Sequence, residues 1–345
     1  MNTRTDGATT AASGATGGRL HEAISVIVPT YRRPALLGTC LNALAAQDLD
    51  ATRYEIIVCD DGPDDATREA VERFAQRCAS GHGMTVRYIP VTATQGPAGA
   101  RNAGWRAAKY PLIAFTDDDT IPDPHWLTAG IDALATGADA ASGAIMVPLP
   151  DAPTDYELDA SGLARAEFAT ANAFVRRAWL AALGGFDERF TSAWREDSDL
   201  QFAMLQLGAN VIRADQAVVV HPVRPARLGV SLSQQKKSQF EALLYRKHPA
   251  LYRQRIDAGP PLRYYAIVGS LLCAVIAALA GEQGLASLAL VAWVLLTGAF
   301  CAARLRHTRR DLTHIAEMGW TSALIPFLSI YWRLRGALRY KVFFL

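Results

Sequence analysis

The sequence predicts an α/β domain built on a largely parallel sheet, followed by a C-terminal helical hairpin of membrane-spanning length. Three observations carry this reading. From about residue 22 to 225, short β-branched runs alternate with helical patterns. Three of those runs end in polar clusters, "PTYRR", "CDDG" and "TDDDT". Beyond residue 260 two uncharged stretches, 264–281 and 284–303, are separated only by Glu282 and Gln283. At ~1.5 Å per residue each stretch covers roughly 27–30 Å, the thickness of a hydrocarbon core.

The elements follow in order. Residues 1–20, small and polar, predict a disordered tail that is neither signal peptide nor anchor. Ile24 to Val28 predicts a buried strand that Pro29 stops, and Pro34 opens a helix with Leu37, Leu41 and Leu44 at helical spacing. "YEIIVCDDG" reads as a strand with an acidic turn, and "DDATREAVERFAQRCAS" as a helix with an acidic first turn. "TVRYIPV", "GARNAGWRAAK" and "PLIAFTDDD" then give strand, helix and strand. Ligands of such sheets sit beyond the carboxyl ends of the strands, where the three polar clusters fall. Residues 21–225 therefore form the predicted catalytic unit, and 226–260 a basic helical segment before the membrane.

Composition excludes several classes. A net charge of +2 gives no reason to expect a nucleic-acid partner. Five cysteines without a CxxC pair, two of them in apolar runs, speak against a disulfide framework and a zinc site. Between 304 and 345, eight Lys and Arg residues face only Asp311 and Glu317, which suits an anionic lipid surface. Arginines flank both outer ends of the hairpin, so the positive-inside rule puts the catalytic unit and the C-terminus in the cytosol. "WTSALIPFLSIYW" (320–332) is about half a span, contains Pro326, and predicts an interfacial helix within a basic surface segment, 305–345, with a third, tilted span as the alternative.

Three acidic clusters are candidates for chemistry. In "FTDDDTIP", carboxylates at Asp117 and Asp119 can point to one side of a turn and hold a hard divalent cation, which would neutralise a diphosphate; an ordinary acidic turn is the alternative. In "CDDG", Asp60 or Asp61 could accept a base N–H or a ribose hydroxyl, or could cap the next helix. In "WREDSDLQFAMLQLG", Glu196, Asp197 and Asp199 suit a helix dipole. The preceding "LGGFDERFTSAW", with Phe186 and Trp194, suggests a pocket wall for an acceptor. His221, after "AVVV", is either a strand-end structural residue or a third metal ligand.

Taken in order, "SVIVPTYRRP", "VCDDG", "GPAGARNAG", "FTDDDTIP" and "LGGFDERF…REDSDL" resemble family 2 glycosyltransferases of the GT-A fold over roughly residues 22–225. The resemblance implies that Pro29, Thr30 and Tyr31 lie along the nucleotide, with Asp61 or Asp60 on the base and Arg101 and Asn102 near the nucleotide-sugar. It implies Mn²⁺ or Mg²⁺ on Asp117 and Asp119, with Asp118 the variable middle residue among the substrate contacts and His221 completing the metal site. Asp197, beside Glu196, would be the general base of an inverting transfer. One departure is plain: the Gln-x-x-Arg-Trp motif of processive members is missing, and "SQQKKSQF" stands in its region without Trp. The expected activity is transfer of a single sugar from a nucleoside diphosphate donor to a membrane-presented, lipid-linked acceptor. Lys236 and Lys237 could meet a lipid phosphate there, or belong to a solvated basic juxtamembrane helix. An acceptor in a soluble or cell-envelope glycan, with the hairpin used for location, is the alternative within the class. A non-catalytic membrane scaffold is the rival outside it. A nucleotidyltransferase would carry a Gly-rich basic loop after the first strand, which "PTYRRPALL" is not.

Overall fold

The computed structural model describes residues 22–94 and 96–343; the expected N-terminal tail lies outside the described residues. The chain runs β1 (Ile24–Thr30), α1 (Pro34–Ala45), β2 (Tyr54–Asp60), α2 (Asp65–His82), β3 (Thr85–Pro90), α3 (Pro97–Ala107) and β4 (Leu112–Thr116). It continues through β5 (Ile121–Pro122), α4 (Trp126–Ala135), β6 (Ala140–Met146), α5 (Asp155–Ala160), β7 (Asn172–Arg176), α6 (Arg177–Leu183), α7 (Glu196–Gln206) and β8 (Val211–Val220). The C-terminal part is helical: α8 (Val230–Gln234), a 3₁₀ turn (Gln235–Ser238), α9 (Gln239–Lys247), α10 (Pro249–Arg255), α11 (Leu262–Leu279), α12 (Gln283–Leu305) and α13 (Leu312–Arg339).

One sheet holds all eight strands in the order β3-β2-β1-β4-β7-β6-β8-β5. The β3-β2-β1-β4 half is parallel, whereas β7 runs antiparallel to both β4 and β6. Strand alternation sends Val26, Val28, Ile56 and Val58 to one face, where α1, α2 and α4 pack. It sends Ile27, Ile57 and Cys59 to the other, against α3, α6 and α7. This is the α/β/α layering that the alternating runs imply. Pro29 does not stop β1 as expected. The β1–β4 ladder already ends at the Ile27–Phe115 pair, so a residue without an N–H is tolerated two positions later.

The helical tail is tied into the α/β domain. Phe190 and Phe202 share a buried cluster with Phe240, Leu243, Tyr252 and Tyr340 from α9, α10 and the end of α13. Lys247 bridges Asp187 (2.8 Å) and Asp199 (2.6 Å), and buried His248 meets the other oxygen of Asp199 at 3.0 Å. Arg304, at the end of α12, donates to Asp155 of α5 (2.6 and 3.2 Å), to Thr321 and Ser322 of α13, and to Ser231 of α8. Helices α11 and α12 are each long and apolar enough to cross a membrane, and only 17% of each apolar window is buried. A hairpin in the core of a soluble domain would be mostly covered.

The stretch 320–332 is not the short separate helix expected. It is the middle of the 28-residue α13, which continues through Pro326. Buried Ile325, Pro326, Ser329, Arg333 and Gly336 share that helix, so tertiary packing outweighs the lost backbone bond. Gly336 sits where an added Cβ would lie 2.3 Å from the Gln239 carbonyl oxygen on α9. Gly336→Val should therefore push α13 off α9 and lower stability by about 1–3 kcal/mol. Thermal unfolding of purified protein in detergent checks this, and an unchanged Tm would contradict the close approach.

Candidate functional site

Three strand ends build the site. Past β4, Thr120 folds the chain back by donating its N–H (3.2 Å) and hydroxyl (2.8 Å) to the Asp117 carbonyl. Its Oγ1 also lies 2.6 Å from that of Thr116. This tight turn sends alternate carboxylates in opposite directions. Asp118 points inward, accepting from the Thr30 hydroxyl (2.7 Å) and pairing with Arg33 (2.8 Å). Burial pushes its carboxyl up to about 6, against the pull of Arg33. Asp117 and Asp119 face His221. The two-residue β5 pairs with the end of β8, Ile121 opposite Val220, which carries His221 to the turn. His221 Nε2 stands 3.5 Å from Asp119 and 4.0 Å from Asp117. Candidate ligand atoms of the three residues lie within 4.8 Å of one another.

Arg101, from α3, connects this triad to a second acidic pair. Its side chain is 3% exposed, and it donates to Asp117 Oδ1 (2.8 Å) and Glu196 Oε1 (3.0 Å). Burial raises the Asp117 carboxyl, yet Arg101 and His221 outweigh it and hold that carboxyl below its usual range. Glu196 behaves oppositely: burial, then repulsion from Asp197, push it up to about 7 despite Arg101. Burial likewise raises Asp197, whose Oδ1 accepts from the Ser198 N–H at 2.7 Å. Both acids open α7. They follow Arg195, a non-glycine residue held at φ +76° by its bond to Glu241 (2.9 Å) and its position over the Trp194 ring. That conformation costs energy, and here it sets the angle at which α7 leaves the loop.

Arg101, Asp117, Glu196, Asp197 and His221 line a cavity of about 540 Å³. Tyr156 and Asp159 of α5, Trp194, and Gln234 and Lys237 of the C-terminal segment also line it. Lys237 Nζ sits 5.4 Å from the Trp194 ring centroid, and burial lowers its pKa.

Other expected site residues lie elsewhere. Asn102 is fully buried; it donates to the Phe186 carbonyl and Glu188, and accepts from the Phe186 N–H and the Trp105 indole. It has nothing left to offer a sugar, and locks the Gly-Gly-Phe loop instead. Phe186, expected as pocket wall, packs edge-on against Phe115 in the core at 5.3 Å. Thr30 and Asp118, expected as substrate contacts, are buried; Thr30 donates to one Asp118 oxygen and Arg33 pairs with the other. Asp60 is also internal, accepting from the Tyr88 hydroxyl and the Gly62 N–H. Asp61 stays partly exposed, with both oxygens on the Gly96 N–H. Exposed Tyr31 lies against Gly62, where an added Cβ would fall 2.4 Å from its ring. Pro29, Tyr31 and Asp61 thus form a shelf outside the residues that line the cavity. Arg33, Arg224 and Glu241 went unnoticed in the sequence. Arg224 had one available signal, a cation three residues after a candidate ligand histidine.

A GT-A fold is the class that this mixed sheet and its flanking helices define. Residues 25–179 match the glycosyl transferase family 2 model, and the chain carries a domain of that family. Among similar proteins, glycosyltransferase AglE of Haloferax volcanii is 27% identical over 59% of this chain and 67% of its own length. Validoxylamine A glucosyltransferase of Streptomyces hygroscopicus subsp. jinggangensis is 27% identical over 66% of this chain and 61% of its own. The chain thus spans about two-thirds or less of these relatives. Among solved structures, the mannosyltransferase PcManGT from Pyrobaculum calidifontis superposes with a TM-score of 0.57, at 22% identity, over 90% of this chain and 86% of that one. It shares the fold.

The Asn102 geometry gives a direct test. Asn102→Ala strands the Phe186 N–H and carbonyl and the Trp105 indole, and should cost roughly 2–4 kcal/mol. At a temperature where the variant stays folded, its nucleotide affinity should match wild type within about twofold. Selective loss of nucleotide binding with unchanged Tm would return Asn102 to the ligand-contacting set.

Proposed function

We propose that the protein transfers a single sugar, with inversion, from a nucleoside diphosphate sugar to a hydroxyl of an acceptor presented at a membrane surface. One observation carries this reading: buried Arg101 joins the Asp117–Asp119–His221 triad to the Glu196–Asp197 pair along one cavity. A leaving-group site and a base are thereby held side by side. Asp197 accepts the acceptor proton as its oxygen attacks the anomeric carbon; the bond from that carbon to the diphosphate breaks, and the nucleoside diphosphate departs. Glu196, ion-paired to Arg101, shapes the field around the base.

The triad fits a divalent cation. Two carboxylates and an imidazole converge, and Asp119 Oδ2 is buried without a hydrogen bond among the described residues. A bound Mn²⁺ or Mg²⁺ would neutralise the diphosphate and stabilise it as a leaving group. The mannosyltransferase neighbour, solved in complex with GDP-Man and Mn²⁺, supports trying manganese and guanosine donors first.

The membrane assignment rests on the exposed apolar faces of α11 and α12, where Leu272, Ile276, Leu279, Leu288 and Leu295 are each more than half exposed. An apolar surface of that extent needs a non-aqueous covering. With both ends of the hairpin on the catalytic side, the catalytic unit and the basic C-terminal region face the cytosol and touch membrane lipids. A lipid-linked saccharide suits an enzyme whose cavity wall is pinned to the hairpin through Arg304. The other reading, a soluble or cell-envelope glycan acceptor, would show as equal turnover in detergent with soluble oligosaccharides and in nanodiscs with polyprenyl-linked ones.

Two outcomes follow. Asp197→Asn should lower kcat about 10²–10⁴-fold while leaving donor affinity nearly unchanged. Because an ionised base is required and burial raises Asp197, the wild-type kcat/KM should fall with acid above the usual carboxylate range. Full turnover by Asp197→Asn would remove the base assignment. Turnover should also vanish in EDTA and return with added Mn²⁺ or Mg²⁺; activity indifferent to chelator would remove the metal.

A further inference from the structure

Asp119 turns its two oxygens to different partners. Oδ1 faces His221, while Oδ2 lies 3.0 Å from Arg224 Nε and 3.7 Å from Arg33. Oδ2 makes no hydrogen bond among the described residues, so Arg224 rests on it by charge without a directed bond. The neighbouring arginines are committed elsewhere. Arg33 is paired to Asp118 at 2.8 Å, and Arg101 cannot leave Asp117 without disturbing its bond to buried Glu196. Arg224 is different in each respect. Its side chain is half exposed, and it stands between Pro222 and Pro225 on a segment without regular secondary structure. It borders both the main cavity and the adjoining one between α5 and α13.

We propose that Arg224 is a charge gate on the triad, coupling divalent cation and nucleoside diphosphate so that neither is held well alone. The inference rests on the metal reading of Asp117, Asp119 and His221. In its resting position the guanidinium lies on the very carboxylate a cation would use. Two like charges on one buried carboxylate repel, which disfavours a lone ion. A diphosphate supplies oxygens that a guanidinium binds in paired hydrogen bonds, so Arg224 can turn from Asp119 to the phosphate as the cation settles. By linkage, whatever this exchange adds to nucleotide affinity in the presence of metal it adds equally to metal affinity in the presence of nucleotide.

The experiment uses the full chain in detergent and follows free Mn²⁺ by electron paramagnetic resonance, first alone and then with UDP, GDP or dTDP. Wild type should bind Mn²⁺ weakly alone and more tightly with its matching nucleotide. Arg224→Gln should bind Mn²⁺ alone about tenfold more tightly, because the competing charge is gone. In saturating Mn²⁺ it should bind the nucleotide about tenfold more weakly, because the phosphate partner is gone. Arg224→Lys, which keeps the charge, should retain the weak lone-ion binding. Unchanged or weaker Mn²⁺ binding by folded Arg224→Gln overturns the gate while leaving the metal site standing. Absence of Mn²⁺ binding by wild type with every nucleotide overturns both.

Discussion

The site depends on one buried cation. Arg101 is almost fully enclosed and lies between Asp117 and Glu196, which come from sequence positions 79 residues apart. Without it, two groups of carboxylates would face one another across a cavity wall with little water to screen them, and the protonated forms would win. With it, the two clusters separate in character. The Asp117 carboxyl is held down by its partners, while Glu196 and Asp197 stay raised by burial. A planar guanidinium can make both contacts at once, which a lysine ammonium on a single stem does less well. The position of α3 therefore matters as much as the acidic residues themselves.

Much of the catalytic unit was legible in the sequence. β-branched runs closed by Pro, Asp-Asp-Gly or Asp-Asp-Asp mark strand ends, and helical spacing such as Leu37, Leu41 and Leu44 marks covering helices. The triad was also legible, because Asp117 and Asp119 lie on one turn and His221 follows a strand. What the sequence hid were choices between equivalent polar groups. Asp60 and Asp61, or Asp118 and its neighbours, differ by one residue in a turn. Which one turns inward depends on Tyr88 and Thr30, distant residues that no local pattern connects. Asn102 looked like a ligand contact beside Arg101, but one residue along a helix is a rotation of about 100°, enough to move it from the cavity to the core. Phe186 misled for a related reason: an aromatic after Gly-Gly reads as loop, and only the partner ring of Phe115 shows it is core.

The C-terminal region taught the converse. Hydropathy alone separates α11 and α12 from α13, whose mixed character around Pro326 suggested an interfacial helix. The contacts give another account. Its buried stripe of small and polar residues, Thr321, Ser322, Ser329 and Gly336, permits close approach to α9 and α12. A helix whose buried face is polar has low hydropathy yet can be firmly packed, and sequence windows cannot tell it from an exposed one.

Arg304 links these two parts of the molecule. Its guanidinium reaches α5, α8 and α13 from the last turn of an apolar helix. Both α5 and the segment formed by α8 and the following 3₁₀ turn contribute to the cavity lining, through Tyr156, Asp159, Gln234 and Lys237. Asp117 and His221 stand at strand ends of the sheet, whereas these four lining residues belong to elements tied to the hairpin. The hairpin is therefore structural to part of the cavity lining, since tilting α12 would shift Asp155 and Ser231 together.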